Sequence, residues 1–140
     1  MASVAFLGTG LLGGAMVEGM LRRGDQVMVW NRTEAKARAL EALGAKVAAT
    51  PGDAVAGADR VHMTLPDDAI VDQIVAAFTP RLAAGAIVID HTTASPQGTK
   101  ARIPRLNAAG VKFLHAPVFM SADGSRLDRP HARVRPASVV

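Results

Sequence analysis

The chain has 140 residues, a hydrophobic fraction of 49%, a formal net charge of +4 and no cysteine. This length suffices for one domain, and the lack of cysteine excludes disulfides, thiolate chemistry and cysteine-based zinc sites. The apolar N-terminus lacks a basic leader and a cleavage site, and Glu18 interrupts any membrane-spanning run. No aromatic residues are interleaved with the basic ones, which disfavours a nucleic-acid surface. We therefore expect a globular cytoplasmic protein without a membrane or nucleic-acid partner.

Apolar runs typical of strands alternate along the chain with helix-length segments rich in alanine, leucine and charge. The predicted strands are residues 3–8, 26–30, 46–49, 60–65, 86–90 and 111–116. Four glycines follow helical segments, where a C-terminal cap is needed: Gly24, Gly44, Gly85 and Gly110. This alternation predicts an α/β fold with a doubly wound, Rossmann-type parallel sheet covered by helices on both faces.

The motif GTGLLG, residues 8–13, follows the first predicted strand directly and opens a helix. In a dinucleotide site Gly8 would permit the tight turn, Gly10 would let the backbone approach a pyrophosphate, and Gly13 would let helix and strand pack closely. The phosphates would then lie on N–H groups at the positive end of the helix. The alternative is an ordinary glycine-rich turn. The remaining predicted contacts in this motif are Thr9, Leu11 and Leu12.

The second strand ends in VWNRT, where an NAD site usually has Asp or Glu to bind the ribose 2′-hydroxyl. Asn31 is neutral there and does not repel a 2′-phosphate, while Arg32 offers a guanidinium and Thr33 a hydroxyl. These residues favour NADP over NAD. The alternative interpretation is that Asn31 caps the next helix, with Glu34 completing a capping box.

Two further segments follow predicted strands. Leu65 and Pro66, in TLPDD, lie where a nicotinamide ribose would bind, and the two aspartates after them are helix N-terminal charges. In DHTTASP, the hydroxyls of Thr92 and Thr93 are candidates to bind a small carboxylate or phosphate. Ser95-Pro96 is explained as an N-cap with proline at the first helical position. We assign no role to His91, because a lone loop histidine is more often solvated than catalytic.

The motifs VAFLGTGLLGGAM, VWNRT, TLPDD, DHTTASP and HAPV, in this order, resemble the cofactor domain of the β-hydroxyacid dehydrogenase family over residues 3 to 121. That family includes 3-hydroxyisobutyrate dehydrogenase, 6-phosphogluconate dehydrogenase and the related imine reductases. The resemblance implies that Thr92 lies at the family's substrate-binding serine or threonine and also near the cofactor. It implies a small-molecule substrate and an NADPH-dependent oxidoreductase acting on CH–OH groups.

The chain departs from the family pattern in two ways. Phe119, Met120 and Ser121 replace the usual Ser-Gly-Gly substrate loop, which leaves the substrate open. The family's proton-relaying lysine lies downstream, near an all-helical second domain, so no catalytic residue is assigned here. We expect the chain to bind cofactor, to be inactive alone and to self-associate through exposed apolar surface. The alternatives are a non-catalytic NADP-binding module, the cofactor domain of an imine reductase, or a truncated product without function.

The predicted NADP-binding domain covers residues 1–121, and residues 122–140 form an irregular tail rich in Arg, Pro, Ala and Ser. Such composition resembles GC-rich DNA read out of frame. Starting one nucleotide into the Ala122 codon, synonymous codons permit an apolar GLMLVSG run that resembles the family's next strand. A one-nucleotide frameshift near codon 122 is therefore our hypothesis for the tail, and a natural disordered tail is the alternative.

Overall fold

The computed structural model describes residues 3–9, 11–92 and 96–116, apart from the side chains of Leu11, Leu12 and Pro96. Phe119, Met120, Ser121 and the tail 122–140 lie outside these ranges, so the domain boundary and the frameshift stay predictions. The described strands are β1 (Ser3–Leu7), β2 (Gln26–Trp30), β3 (Lys46–Val47), β4 (Arg60–Met63), β5 (Ile87–Asp90) and β6 (Lys112–His115).

All six strands are parallel and lie in the order β3-β2-β1-β4-β5-β6. This is the strand order of the Rossmann fold, with a change of direction on either side of β1. The central strands are buried on both faces, which explains why they read in sequence as continuous apolar runs. The predicted doubly wound fold is confirmed.

Helices cover both faces of the sheet. They are α1 (Leu11–Arg22), α2 (Glu34–Arg38), α3 (Pro51–Val55), α4 (Asp68–Phe78) and α5 (Pro96–Ala108). Alternate residues of β1 divide between two cores: Val4 and Phe6 pack with α1 and α2, and Ala5 and Leu7 pack in the core that holds α3, α4 and α5. Residues 41–43 and 79–81 form 3₁₀ turns.

Five of the described strands are one or two residues shorter than the sequence predicts, and β2 has the predicted bounds. β3 ends at Val47, because only two of its residues pair with β2 at the edge of the sheet. β4 ends at Met63: the Thr64 N–H still donates to the Leu7 carbonyl oxygen, but the next N–H, on Leu65, donates to the Thr92 hydroxyl instead of to a backbone carbonyl. Gly44 caps its 3₁₀ turn in the left-handed conformation, with φ of 108°.

The face that carries α1 and α2 also presents half-buried apolar side chains of the last two strands. Val88 lies in the opposite core, so Ile87 and Ile89, its neighbours on β5, point to the α1 side, and both are half-buried, as is Leu114 on β6. The predicted self-association through apolar surface stays a prediction.

A buried guanidinium joins α4 to α5. Arg102 is 1% exposed, and its Nε donates to Asp72 Oδ1 at 2.7 Å while Nη2 donates to Asp68 Oδ1 at 2.8 Å. Arg105, one turn nearer the C-terminus and largely exposed, donates to the same Asp72 oxygen at 2.9 Å. The Asp72 carboxylate thus binds two arginines, of which Arg102 is buried and Arg105 lies at the surface.

We expect Arg102→Ala to lower the free energy of unfolding by about 2–4 kcal/mol, because it removes buried packing together with three hydrogen bonds. The matched variant Arg105→Ala removes an exposed ion pair and should cost less than about 1 kcal/mol. Urea unfolding of both variants beside wild type measures the difference. Equal costs would show that burial of Arg102 contributes nothing.

Candidate functional site

A cleft opens at the carboxyl ends of the central strands. Its volume is 560 Å³, within the range of pockets that hold small molecules. It is lined by Gly8 after β1, residues 30–33 at the end of β2, residues 64–66 after β4 and one side of α4. Because β2 and β4 flank β1 on opposite sides, the cleft lies where the strand order reverses, the usual ligand position in doubly wound sheets.

The turn after β1 is packed too closely to admit a side chain at two of its glycines. A Cβ on Gly8, whose φ is +93°, would lie 2.0 Å from the Thr64 carbonyl oxygen. A Cβ on Gly13 would lie 2.2 Å from the Gly8 carbonyl oxygen. The Thr64 hydroxyl donates to that same Gly8 oxygen at 2.9 Å. Gly10, the third glycine of the motif, lies outside the described residues.

The start of α1 lies beside this turn. The helix begins at Leu11, so its positive end is next to a glycine that lines the cleft. Thr9 is buried, and its hydroxyl oxygen has no hydrogen-bond partner among the described residues. The predicted pyrophosphate contacts of Thr9, Leu11 and Leu12 stay predictions.

The side chain of Asn31 connects two loops of the cleft. Its Oδ1 accepts from the Thr9 backbone N–H at 2.9 Å, and its Nδ2 donates to the Thr33 carbonyl oxygen at 2.9 Å. The N-cap of α2 is Thr33, not Asn31, and the Glu34 carboxylate binds Arg38 at 2.8 Å. The alternative capping-box interpretation of Asn31 is therefore wrong, because the amide is used to tie the glycine turn to β2.

Three polar side chains at the end of β2 point to one corner of the cleft. Arg32 and Lys36 are exposed, line the cleft and form no ion pair with any described residue, and the hydroxyl of Thr33 makes no capping bond. Sequence reasoning missed Lys36. The available signal was its spacing, since a residue in the first turn of α2 lies close to the loop before that helix.

The segment after β4 is fixed by backbone and side-chain bonds. The Leu65 N–H donates to the Thr92 hydroxyl oxygen at 2.9 Å, and Pro66 lines the cleft beside Leu65. The Asp67 carboxylate caps α4 by accepting from Ile70 N–H at 3.0 Å. The structure thus accounts for Asp67 as the predicted N-terminal charge of a helix.

Thr92 is held through all its polar groups. Its N–H donates to Asp90 Oδ1 at 2.9 Å, its carbonyl oxygen is 2.8 Å from His115 Nε2, and its hydroxyl oxygen accepts from Leu65. The residue is 3% exposed. Thr93, the second predicted substrate residue, lies outside the described residues.

His91 is buried and hydrogen-bonded, so the expectation of a solvated histidine was wrong. Its Nδ1 is 2.8 Å from the Ala116 carbonyl oxygen, which can only accept, so Nδ1 carries the proton in the neutral ring. His91 Nε2 then accepts from Nδ1 of His62, 2.8 Å away. His62 stacks on His91 and on Phe6, with ring centroids 5.1 Å and 5.9 Å apart. Neither histidine was readable as part of a pair from the sequence.

Burial keeps these histidines neutral. It lowers the pKa of His62 to about 3 from its ordinary 6.5, and the nearby His91 adds to the effect. Burial also lowers the pKa of His91. Burial raises the pKa of the Asp90 carboxyl, against the hydrogen bonds from Thr92 that favour its charged form. Burial therefore disfavours the charged forms of His62, His91 and Asp90.

The sheet order, the glycine turn and the cleft together define a dinucleotide-binding domain. Residues 3–127 match the family model of the NAD binding domain of 6-phosphogluconate dehydrogenase. The chain belongs to this family, which confirms the resemblance seen in its motifs.

An uncharacterized oxidoreductase from Shewanella frigidimarina is 38% identical over 84% of this chain, which spans 42% of that relative. Three solved structures have the same fold. The first is 3-hydroxyisobutyrate dehydrogenase of Mycobacterium tuberculosis with L-serine, which is 26% identical with a TM-score of 0.86 over 91% of this chain and 44% of its own. The second is reductive aminase from Aspergillus terreus with NADPH and ethyl-5-oxohexanoate, which is 30% identical with a TM-score of 0.83 over 96% of this chain and 46% of its own. The third is an imine reductase variant from Myxococcus stipitatus with NAD+, which is 25% identical with a TM-score of 0.83 over 89% of this chain and 43% of its own. The chain thus spans under half the length of these proteins.

Within the described ranges, no helix has both the length and the apolar character needed to cross a bilayer. The same ranges contain no group of three or more His, Asp or Glu side chains placed to hold a metal ion. The cytoplasmic location stays a prediction.

We expect the fold to lose stability as the pH falls from 6.5 toward 3, because His62 takes a proton only when the chain is unfolded. Between these pH values one such histidine changes the free energy of unfolding by about 1.4 kcal/mol per pH unit, and above pH 6.5 it causes no further change. His62→Phe keeps a flat ring beside Phe6 and removes this proton uptake, so its stability should depend less steeply on pH. Urea unfolding between about pH 5 and pH 7.5 compares the two slopes.

Asp90 does not affect the difference between the two slopes. The raised pKa of its carboxyl changes stability in the opposite direction, but Asp90 is present in both proteins and cancels in the comparison. Identical slopes for wild type and His62→Phe would mean that folding does not lower the pKa of His62.

Proposed function

We propose that this chain binds NADPH in preference to NADH, as the cofactor domain of an oxidoreductase that transfers hydride between the nicotinamide and a small hydroxy acid, aldehyde or ketone. The observation that carries the cofactor preference is the corner formed by Arg32, Thr33 and Lys36 at the end of β2. Family membership supports the dinucleotide site, and this corner supports the choice between the two dinucleotides.

The donor set of this corner suits a phosphate better than a ribose hydroxyl. A guanidinium and an ammonium that form no ion pair within the described part of the chain gain charge-assisted hydrogen bonds from a 2′-phosphate, and the Thr33 hydroxyl adds a neutral donor. The nearby Glu34 carboxylate is bound by Arg38 and does not cancel this field. Asn31 replaces the carboxylate that an NAD site uses to accept from the 2′-hydroxyl.

The rest of the cleft supports the orientation of the whole cofactor. With the 2′-phosphate at Arg32, the pyrophosphate would lie at the glycine turn and the start of α1, and the nicotinamide beyond Leu65 and Pro66 toward Thr92. The bound nicotinamide supplies or accepts the hydride. The Thr92 hydroxyl accepts from Leu65 N–H, so Thr92 adjoins the segment where the nicotinamide would lie, which supports its proposed place near cofactor and substrate.

The substrate and the activity of the chain by itself are the least determined parts of the proposal. The similar solved proteins include 3-hydroxyisobutyrate dehydrogenase and, at higher identity, a reductive aminase. Imines are therefore the second candidate substrate class. Because the matched relatives are more than twice as long, we propose that the chain alone binds cofactor without turning over substrate.

We expect the purified chain to bind NADPH but to show no NADPH oxidation with a panel of small aldehydes, keto acids and imines. A full-length relative, assayed in parallel, should oxidise NADPH with at least one class and so identify the substrate. Absorbance at the NADPH band measures turnover. Turnover by the chain alone would contradict its proposed inactivity, and failure to bind either dinucleotide would contradict the proposed function.

Arg32→Ala should weaken NADPH binding by about 10- to 100-fold, because a charge-assisted hydrogen bond contributes roughly 1.5–3 kcal/mol, while NADH affinity should change little. Lys36→Ala should act in the same direction with a smaller effect. The only tryptophan, Trp30, lines the cleft, so its fluorescence reports binding. Lys112→Ala, an exposed lysine on β6, controls for net charge. Equal loss of both cofactors would show that Arg32 is structural.

A further inference from the structure

The amide of Asn31 makes two hydrogen bonds that require an acceptor on one side and a donor on the other. Oδ1 faces the Thr9 N–H, and Nδ2 faces the Thr33 carbonyl oxygen, each at 2.9 Å. Rotating the amide by half a turn would set a donor against the N–H and an acceptor against the carbonyl. The observed orientation is therefore the one that satisfies both partners.

These bonds join the segment that approaches the pyrophosphate to the segment that would select the cofactor. On the first side, two successive N–H groups of the turn are bound to the end of β2: Gly8 N donates to the Trp30 carbonyl at 2.9 Å, and Thr9 N donates to Asn31. On the second side, Thr33 is the N-cap of α2, so its backbone sets how Arg32 and α2 begin. Asn31 is the side chain that connects both segments.

We infer that Asn31 is a positioning residue for both dinucleotides, and that a carboxylate at position 31 does not convert the site to NADH. An Asp would still accept from Thr9, but its second oxygen would face the Thr33 carbonyl, where two acceptors repel. The Thr33 segment would then move away and the amide bridge would be lost. This inference rests on the proposed NADPH site and assigns Asn31 a role other than the absence of repulsion.

The inference differs from the usual rule at this position. In NAD sites the acidic residue after the second strand accepts from the ribose 2′-hydroxyl, so the rule predicts tighter NADH binding by Asn31→Asp. The bridge predicts weaker binding of both dinucleotides. The two predictions have opposite signs for NADH, which makes a single titration decisive.

The test is a titration of wild type, Asn31→Asp, Asn31→Ala and Thr33→Asp with NADPH and NADH, followed by Trp30 fluorescence, with circular dichroism to check folding. Loss of a bond that orders a ligand site is expected to weaken binding by about tenfold. We expect Asn31→Asp and Asn31→Ala to bind both dinucleotides more weakly than wild type. Thr33→Asp adds a carboxylate without removing the bridge, at an N-cap where Asp is favoured, and should lower the ratio of NADPH to NADH affinity.

Amide hydrogen exchange in the ligand-free protein provides a readout that does not depend on cofactor. The Thr9 N–H should exchange about tenfold or more faster in Asn31→Ala than in wild type, relative to amides of β1 in the same sample. Tighter NADH binding by Asn31→Asp, or unchanged Thr9 exchange in Asn31→Ala, would overturn the inference. If wild type binds neither dinucleotide, the proposed function fails, and the exchange measurement still decides whether Asn31 holds the turn.

Discussion

The close approach of the glycine turn to the end of β4 is the constraint on which the site depends. With no side chains at Gly8 and Gly13, the turn comes near enough for the Thr64 hydroxyl to bind the Gly8 carbonyl. The chain leaves the β4 ladder at that point, and the following N–H group, on Leu65, turns to the Thr92 hydroxyl. The ends of β1, β4 and β5 are thus connected by side-chain bonds where ladder bonds stop. A side chain at Gly8 or Gly13 would push these strand ends apart and change the shape of the cleft.

Features with a local period or motif were predictable from the sequence. Continuous apolar runs gave the six strands, and the spacing of Gly8 and Gly13 after the first run indicated the turn. The burial of His91 was not predictable, because its partners, His62 and Ala116, lie 29 and 25 residues away and no local pattern connects them. His62 did carry a signal, since it interrupts an apolar strand run and a buried strand leaves it no water. The end of β4 was missed for a similar reason, as it depends on a bond to another loop.

Neither of the two local rules that apply to Asn31 predicts the hydrogen bonds that its side chain makes. Helix capping and cofactor charge are rules about neighbours in sequence or about the ligand, and each offered an account of an Asn after a strand. The structure uses the amide for a partner 22 residues earlier, Thr9, because an amide, unlike a carboxylate, can accept from that N–H and donate to the Thr33 carbonyl at once. Lys36 escaped notice because its distance to the loop depends on where α2 begins, and helix boundaries are poorly fixed by sequence.

The polar groups near the carboxyl edge of the sheet form two sets, one exposed and one buried. At the end of β2 the cations Arg32 and Lys36 are exposed, so a ligand phosphate can provide their counter-charge. On β4 and β5 the polar groups are buried, and burial lowers the pKa of His62 and raises the pKa of the Asp90 carboxyl, so it disfavours the charged form of both. A charged side chain is buried only with a large cost of desolvation, whereas the neutral imidazole of His62 donates one directed hydrogen bond to His91 at much lower cost. In the proposed site, recognition of charge and maintenance of geometry therefore belong to different residues, so a change at Arg32 would leave the hydrogen bond that fixes Leu65 in place.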